Sequence, residues 1–413
     1  MSLNGGQTLL GADPDELERC ASRLLRAAQR FDRMPRLLSA QIHSAAWVGP
    51  AANRFGAEWN RLHEPALRRA AAHLRLSAEQ LQTQSKQQRL ASASEVFQAM
   101  SHTSHRKMDA IALHGIYRSQ QVAIATELQV LRAHRDAWLQ MSVVGGLLSG
   151  IRFLPFDPLE SIDTKILWLQ SLDGEHRQFL FLDTHRSGHA AEVFGDLDQA
   201  KHVAVVVPGV SSDLGDFARP RRLAASVLQV GAADTAVIQW LGYNPPQNLF
   251  GAALNGGESS RRAAQEGAEQ LQSFVADLQH VGATDITVIG HSLGAYLASV
   301  AAATGPGLNA NRLVFAGSPG SFSAHVEELQ LSGGPGSAST VFFVEQGQDP
   351  ISAGVFGNSV LGTDVADPGF GATQLLDGQQ GVGNPLSNHS SYFRDPVTLQ
   401  SLRSVIQGRA VSQ

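Results

Sequence analysis

Ser292, Asp349 and His389 are residue types that together transfer acyl groups: an alcohol, an acid and a base. Ser292 lies in Gly290-His291-Ser292-Leu293-Gly294, a G-x-S-x-G pattern. Ahead of it, Ile286, Val288 and Ile289 predict a short buried strand; behind it, Ala295, Leu297, Ala298 and Val300 open a helical pattern. That strand–turn–helix context is the one in which the pattern carries a nucleophile. Both glycines are needed because a Cβ would strike the neighbouring strand or helix. The turn lifts the hydroxyl above the sheet edge, at a helix N-terminus that favours a developing anion. A plain glycine-rich turn is the competing reading of the five residues alone, and the flanking strand and helix speak against it.

A serine alcohol is a poor nucleophile, so a base must take its proton and a third group must orient that base. In folds built on such an elbow, the acid and then the base follow the serine in the chain. The acid belongs in the turn after a late strand. Thr340–Val344 reads as that strand, and Glu345-Gln346-Gly347-Gln348-Asp349-Pro350 follows it. Asp349 is the expected acid, with a turn-forming Asp before Pro as its plainer role. Glu345 is its rival but lies close to the strand end, and Asp364, Asp367 and Asp377 fall in a Gly/Pro-rich stretch with no strand to fix them. His389 is the only histidine after Asp349 and is the expected base. His291 is expected only to pack. The oxyanion of a tetrahedral intermediate needs preorganised donors. One is the N–H of Leu293. The other is expected from Pro208-Gly209-Val210-Ser211-Ser212-Asp213, through Val210 or Ser211.

Elements able to position these residues begin near residue 160. Short apolar runs at 178–182, 190–194, 203–207, 236–240, 286–289, 313–316 and 340–344 read as strands, with helical stretches at 217–230, 258–281 and 293–303. The alternation predicts an α/β fold with a mostly parallel sheet covered on both faces, its first two strands an antiparallel edge pair. The stretch 353–385, between acid and base, is expected to lie over the site and gate it. Trp240 and Tyr243 are expected to line the neighbouring rim.

The 413 residues suffice for two domains, and 43% hydrophobic against 17% charged residues allows a sizeable core. A net charge of −5 and the lack of a long basic run speak against nucleic acid. The single cysteine, Cys20, excludes an internal disulfide. The first residues lack the basic and apolar regions of a standard signal peptide. The greasy stretch 141–156 is short, Gly-rich and interrupted by Arg152, so no transmembrane span is expected. His102 and His105 have metal-ligand spacing without a neighbouring cysteine or acid cluster and read as a solvated helix face.

The chain before residue 100 reads as a helical hairpin. Asp13, Pro14 and Glu16 form a helix-start signal, followed by an apolar stripe at Leu17, Ala21, Leu24, Ala28 and Phe31 that Pro35 should kink or end. Gly49 permits the reversal and Pro50 opens the second arm, whose stripe is Phe55, Trp59, Leu62, Ala66, Ala70, Leu74 and Leu81. Trp47 would cap the seam at the turn. With Trp47-Val48-Gly49 at the turn of a helix–turn–helix, this part resembles the Trp-x-Gly hairpins of type VII secretion systems. The resemblance implies self-association or a protein partner, and possible export. The Tyr-x-x-x-Asp/Glu signal of exported members is not matched, since Tyr117 is followed four residues later by Gln121.

Gly195-Asp196-Leu197, Val207-Pro208-Gly209-Val210, Trp240-Leu241-Gly242-Tyr243-Asn244-Pro245-Pro246, the elbow, Ala316-Gly317-Ser318-Pro319-Gly320, Gln348-Asp349-Pro350 and His389-Ser390-Ser391-Tyr392 resemble, in order, a mostly actinobacterial branch of the α/β-hydrolases of unknown function. Leu293 stands where that family often has Tyr. The resemblance implies the same triad, Ser292, Asp349 and His389, and no metal or organic cofactor. The expected organisation is a hairpin over 1–100, a helical connector over 101–158 and an α/β-hydrolase domain over 159–413. The expected activity is hydrolysis of a carboxylic ester, including lipid esters. The alternatives are a non-enzymatic assembly or secretion protein working through its hairpin, and a secreted hydrolase effector. The compartment stays open between cytoplasm and export by a type VII-like route.

Overall fold

Small residues at every seventh position let two long helices approach closely along one seam. The computed structural model describes residues 14–44, 48–103, 110–146, 158–174, 176–184, 188–218, 233–247, 257–346, 349, 351, 361–378, 389 and 391–410. The chain divides into two units, Met1–Phe97 with Ala125–Ile166, and Gln98–Ile124 with Leu167–Gln413.

In the first unit, α1 (Pro14–Ser44) runs antiparallel to a second arm made of α2 (Pro50–Glu58), a π turn (Trp59–His63) and the start of α3 (Glu64–Thr103). Three cross-links fix the direction: Glu18 with Ser85, Asp32 with Arg75, and Ser39 with the indole N–H of Trp59 at 2.8 Å. Gly49 has φ +118°, which a residue with a Cβ rarely adopts. Its carbonyl accepts from Asn53, with Pro50 at the first helical position. The buried seam is Ala21, Ala28 and Pro35 against Trp59, Ala71, Ala78 and Ser85. This corrects the second-arm stripe, because Phe55, Leu62 and Ala66 are exposed. Pro35 neither ends α1 nor leaves the seam, so burial of its ring helps offset the missing hydrogen bond, which costs about 3 kcal/mol in a helix interior. Asp13 and Trp47 lie outside the described residues, as does His105.

α3 continues to Thr103, through a stretch whose mixed composition suggests a linker. α4 (Ala110–Gly146) and α5 (Pro158–Leu172) follow, and each is shared between the two units. α5 has no counterpart in the sequence reading. Within the first unit it pairs with α4 through Lys165–Glu127 at 2.6 Å and Arg135–Asp163 at 2.5 Å.

The second unit holds an eight-stranded sheet. Its strands are β1 (Gln178–Asp183), β2 (His189–Phe194), β3 (His202–Val207), β4 (Thr235–Leu241), β5 (Asp285–His291), β6 (Arg312–Ala316), β9 (Val341–Val344) and β10 (Thr373–Gln374). The short strands β7 (Gln330–Leu331) and β8 (Gly334–Pro335) pair with each other. The spatial order is β1-β2-β4-β3-β5-β6-β9-β10, antiparallel at β1–β2 and β2–β4 and parallel elsewhere. Every side chain of β4 and β9 is buried, as expected for strands covered on both faces. Each fully buried Val or Ile contributes about 1.5–3 kcal/mol. Helices α6 (Glu258–Leu278), α7 (Leu293–Ala303) and α8 (Pro396–Ile406) lie in the same unit. Leu399, Leu402, Val405 and Ile406 of α8 pack on Val206, Ile289, Val314 and Val344. Asp395 caps α8 by accepting from the Thr398 N–H at 2.8 Å. The helix expected over 217–230 falls mostly on residues outside those described.

The register places the site. Val207 lies opposite Gly290, His291 opposite Ala316, and Ala316 opposite Val344. The carboxyl ends of β3, β5, β6 and β9 are therefore level, and the segments that leave them meet along one sheet edge.

Candidate active site

Ser292 has φ +56° and ψ −126°, an uncommon conformation for a residue with a side chain. Two close approaches hold it there. A Cβ on Gly290 would lie 2.4 Å from the Ala295 Cα, and one on Gly294 would lie 2.2 Å from the Val207 carbonyl oxygen. The glycines thus admit the turn, and the Ser292 N–H is satisfied by Ala316 O at 3.0 Å. Ser292 serves as the N-cap residue of α7, so Leu293 is its first residue, where a backbone N–H has no intrahelical partner.

Asp349 and His389 meet. Nδ1 of His389 lies 3.0 Å from Oδ1 and 2.9 Å from Oδ2 of Asp349. The acid side chain is fully buried and the histidine is 12% exposed. Burial alone would raise the Asp349 pKa. Hydrogen bonds from His389, the Tyr392 hydroxyl at 2.5 Å and the Ile351 N–H at 2.9 Å, with the charge of His389, outweigh it and hold the carboxyl below its ordinary value. Gly317, at φ +55°, makes room: a Cβ there would lie 3.0 Å from Asp349 Oδ2 and 2.6 Å from the Tyr392 ring.

The base reaches the elbow region through His291. Its Nε2 donates to the His389 carbonyl at 2.8 Å, and the two imidazole centroids are 5.0 Å apart. His291 therefore does more than pack. Burial, then the charge of His389, lower its pKa to about 4.

On the other side, a Cβ on Gly209 would fall 2.6 Å from Ser292 Cβ and 3.0 Å from its Oγ. The 208–213 loop is thus brought to Ser292. Its shape is set by the 243–247 segment: Tyr243 OH donates to Pro208 O at 2.7 Å, Ser211 N–H to Pro246 O at 2.9 Å, and Gln247 Nε2 to Ser212 O at 3.1 Å. Ser211 is held at φ +66°, and its N–H is already engaged. Of the two candidate donors, Ser211 drops out and Val210 is left. Trp240 and Tyr243 are both buried, stacked with centroids 6.3 Å apart. They sit beneath the loop as its support and not on an exposed rim.

Among the described residues, no hydrogen bond or ion pair joins Glu345 to His389. Its Oε1 is buried with no hydrogen-bond partner among the described residues, and burial, then Asp364 and Asp349, raise its pKa to about 7. Much of the stretch expected to cover the site lies outside the described residues. Its described part, 361–378, adds β10 to the sheet and buries Leu361, Val365, Phe370 and Leu375. Those apolar side chains tie that part to the sheet edge. Asp364 and Asp367 accept from Ala366 and Gly369 in local turns. Sequence reasoning missed Tyr392 and the role of His291; the only signal for Tyr392 was its place in the His389-Ser390-Ser391-Tyr392 motif. Among the described residues, no cluster of three His, Cys, Asp or Glu side chains is arranged to hold a metal ion, and no helix is long and apolar enough to cross a membrane.

Residues 183–354 match the model of an alpha/beta hydrolase family. An uncharacterized protein of Mycobacterium tuberculosis, in strains H37Rv and CDC 1551, is 33% identical over 246 residues. The match covers 54% of this chain and 37% of that protein, so the chain spans little more than a third of its relative's length. Among solved structures, esterase PE8 is 16% identical, covering 50% of this chain and 98% of its own at a TM-score of 0.31. A carboxylesterase from Mesorhizobium loti is 12% identical, covering 55% and 98% at a TM-score of 0.28.

Proposed function

We propose that the C-terminal domain is a serine hydrolase that cleaves carboxylic esters through an acyl-enzyme. Ser292 attacks the carbonyl, and His389 takes its proton and returns it to the leaving alcohol. Asp349 fixes the His389 tautomer by accepting from Nδ1, which leaves Nε2 to work on Ser292. Backbone N–H groups of Leu293 and Val210 stabilise the oxyanion, and water then releases the acid. The observation that carries the reading is the buried Asp349 carboxylate, 2.9 Å from His389 Nδ1, with that histidine's turn hydrogen-bonded to the residue preceding Ser292. Apolar esters, lipid esters included, are the substrate class we favour. The test is fluorophosphonate labelling of the whole chain. A single adduct on Ser292, lost in Ser292→Ala and His389→Ala, supports the reading, and no adduct overturns it. Asp349→Asn should lower kcat by about 10⁴, the loss expected when a triad base takes the wrong tautomer.

A second reading, a partner-binding module in the hairpin, is favoured by the exposed Met34, Leu37, Val48, Phe55 and Leu62 of the first unit. A chain that binds a partner through this surface and leaves Ser292 unlabelled would fit that reading alone.

A further inference from the structure

We infer that His291 is a positioning residue that ties the base-bearing turn to the nucleophile elbow. This rests on the serine-hydrolase reading and goes beyond it, since the triad does not require this side chain. The nucleophile follows a central strand, whereas the base comes from a turn 98 residues further along that belongs to no strand of the sheet. Asp349 fixes the ring of His389, and Tyr392 and Ser391 tie its turn to Asp349 and Gln346, but none of these links reaches the elbow. His291 supplies that link. As the last residue of β5, next to Ser292, it cannot move without moving the elbow. Its Nε2 donates to the His389 carbonyl at 2.8 Å. Its ring lies 5.0 Å from His389, 5.8 Å from Tyr392 and 5.7 Å from Phe393, so three side chains of that turn enclose it.

A carbonyl oxygen only accepts, so the proton must sit on Nε2 of His291. The depressed pKa agrees, because it keeps the ring neutral near pH 7 and puts no second cation beside a protonating His389. The chemistry thus asks for a neutral donor of ring size at this position. Phe offers the size without the donor, and Gln offers a donor without the ring.

The test uses the full chain and three readouts: fluorophosphonate labelling rate at Ser292, kcat and KM on a short p-nitrophenyl ester, and the thermal midpoint. His291→Phe should lower kcat and labelling about 10- to 100-fold, the loss that a misplacement near 1 Å produces, with KM changed less than about twofold. His291→Gln should recover most of that loss. Nitrogen-15 NMR of the native chain should show a neutral ring protonated on Nε2 at pH 7, which is informative even if a variant fails to fold. A folded His291→Phe chain that reacts at the native rate, or a ring protonated on Nδ1, overturns the inference. A native chain that never labels at Ser292 overturns the hydrolase reading and this role with it.

Discussion

Tyr392 donates its phenolic hydrogen to Oδ2 of Asp349 at 2.5 Å, from the same short turn that presents His389 to that carboxylate. The Gln346 N–H in turn donates to the Tyr392 oxygen at 3.1 Å. One buried carboxylate is thereby held by two side chains and the backbone N–H of Ile351. It stays ionised and fixed in orientation, as its proposed role of triad acid requires. Tyr392→Phe removes one donor and leaves the Gln346 N–H without its acceptor. A hydrogen bond to a charged group is worth about 1.5–3 kcal/mol, so a stability loss of that order is expected in urea denaturation. Ester turnover should fall about tenfold in kcat, since the acid loses an anchor but keeps its contact with His389.

Gly209→Ala tests the approach of the 208–213 loop to the nucleophile. The new methyl would lie 2.6 Å from Ser292 Cβ, too close for either group to stay. The side chain or the loop must shift, and the proposed oxyanion donor is lost with it. Loss of one such donor costs about 10²–10³ in kcat. A circular dichroism spectrum like the native one, combined with that loss, is the expected result.

Tyr243→Phe tests the support beneath the same loop. The Tyr243 hydroxyl is buried and bonds the Pro208 carbonyl at 2.7 Å. Without it that carbonyl loses its buried donor, at about 1–3 kcal/mol, while the stack on Trp240 remains. Steady-state kinetics should show kcat reduced several-fold and KM nearly unchanged, because the loop serves the oxyanion in the proposed mechanism.

Glu345→Gln tests the buried acid whose titration Asp349 and Asp364 influence. Its pKa is raised from 4.5 to about 7. Between those values the folded chain keeps a proton that the unfolded chain has released, so stability falls as pH rises through that window. A neutral glutamine removes this dependence. Melting curves should show the variant gaining on the native chain from about pH 5 to about pH 7, by up to about 3 kcal/mol, and holding that gain above it. Equal differences at pH 5 and pH 8 would contradict the assignment.

The elbow was legible in sequence because it is a local object. Ser292, its two glycines, the β-branched run before and the alanine-rich helix after lie in one unbroken stretch from Asp285 to Ala303. Periodicity likewise revealed β1 to β6 and β9 within a residue or two, and the antiparallel edge pair with them. Chain order and the late strand pointed to Asp349 and His389, which the structure joins. Periodicity did not reveal α5, whose apolar and polar residues mix without a strong stripe. It misjudged the second-arm seam, where residues on both sides of the true seam are apolar.

Sequence by itself determined the residue types, the chain order Ser292–Asp349–His389 and the alternation of strand and helix, because each follows from neighbours along the chain. Tertiary structure alone decided which groups meet. Sequence leaves Ser211 and Val210 equal, and the Pro246 carbonyl on the Ser211 N–H separates them. Trp240 and Tyr243 were rim candidates until burial placed them under the loop, and His291 was a packing residue until a carbonyl 98 positions away lay 2.8 Å from its Nε2. Those outcomes depend on strand register and on side chains from distant segments competing for the same donors. Such a competition is settled only when the sheet brings the segments together.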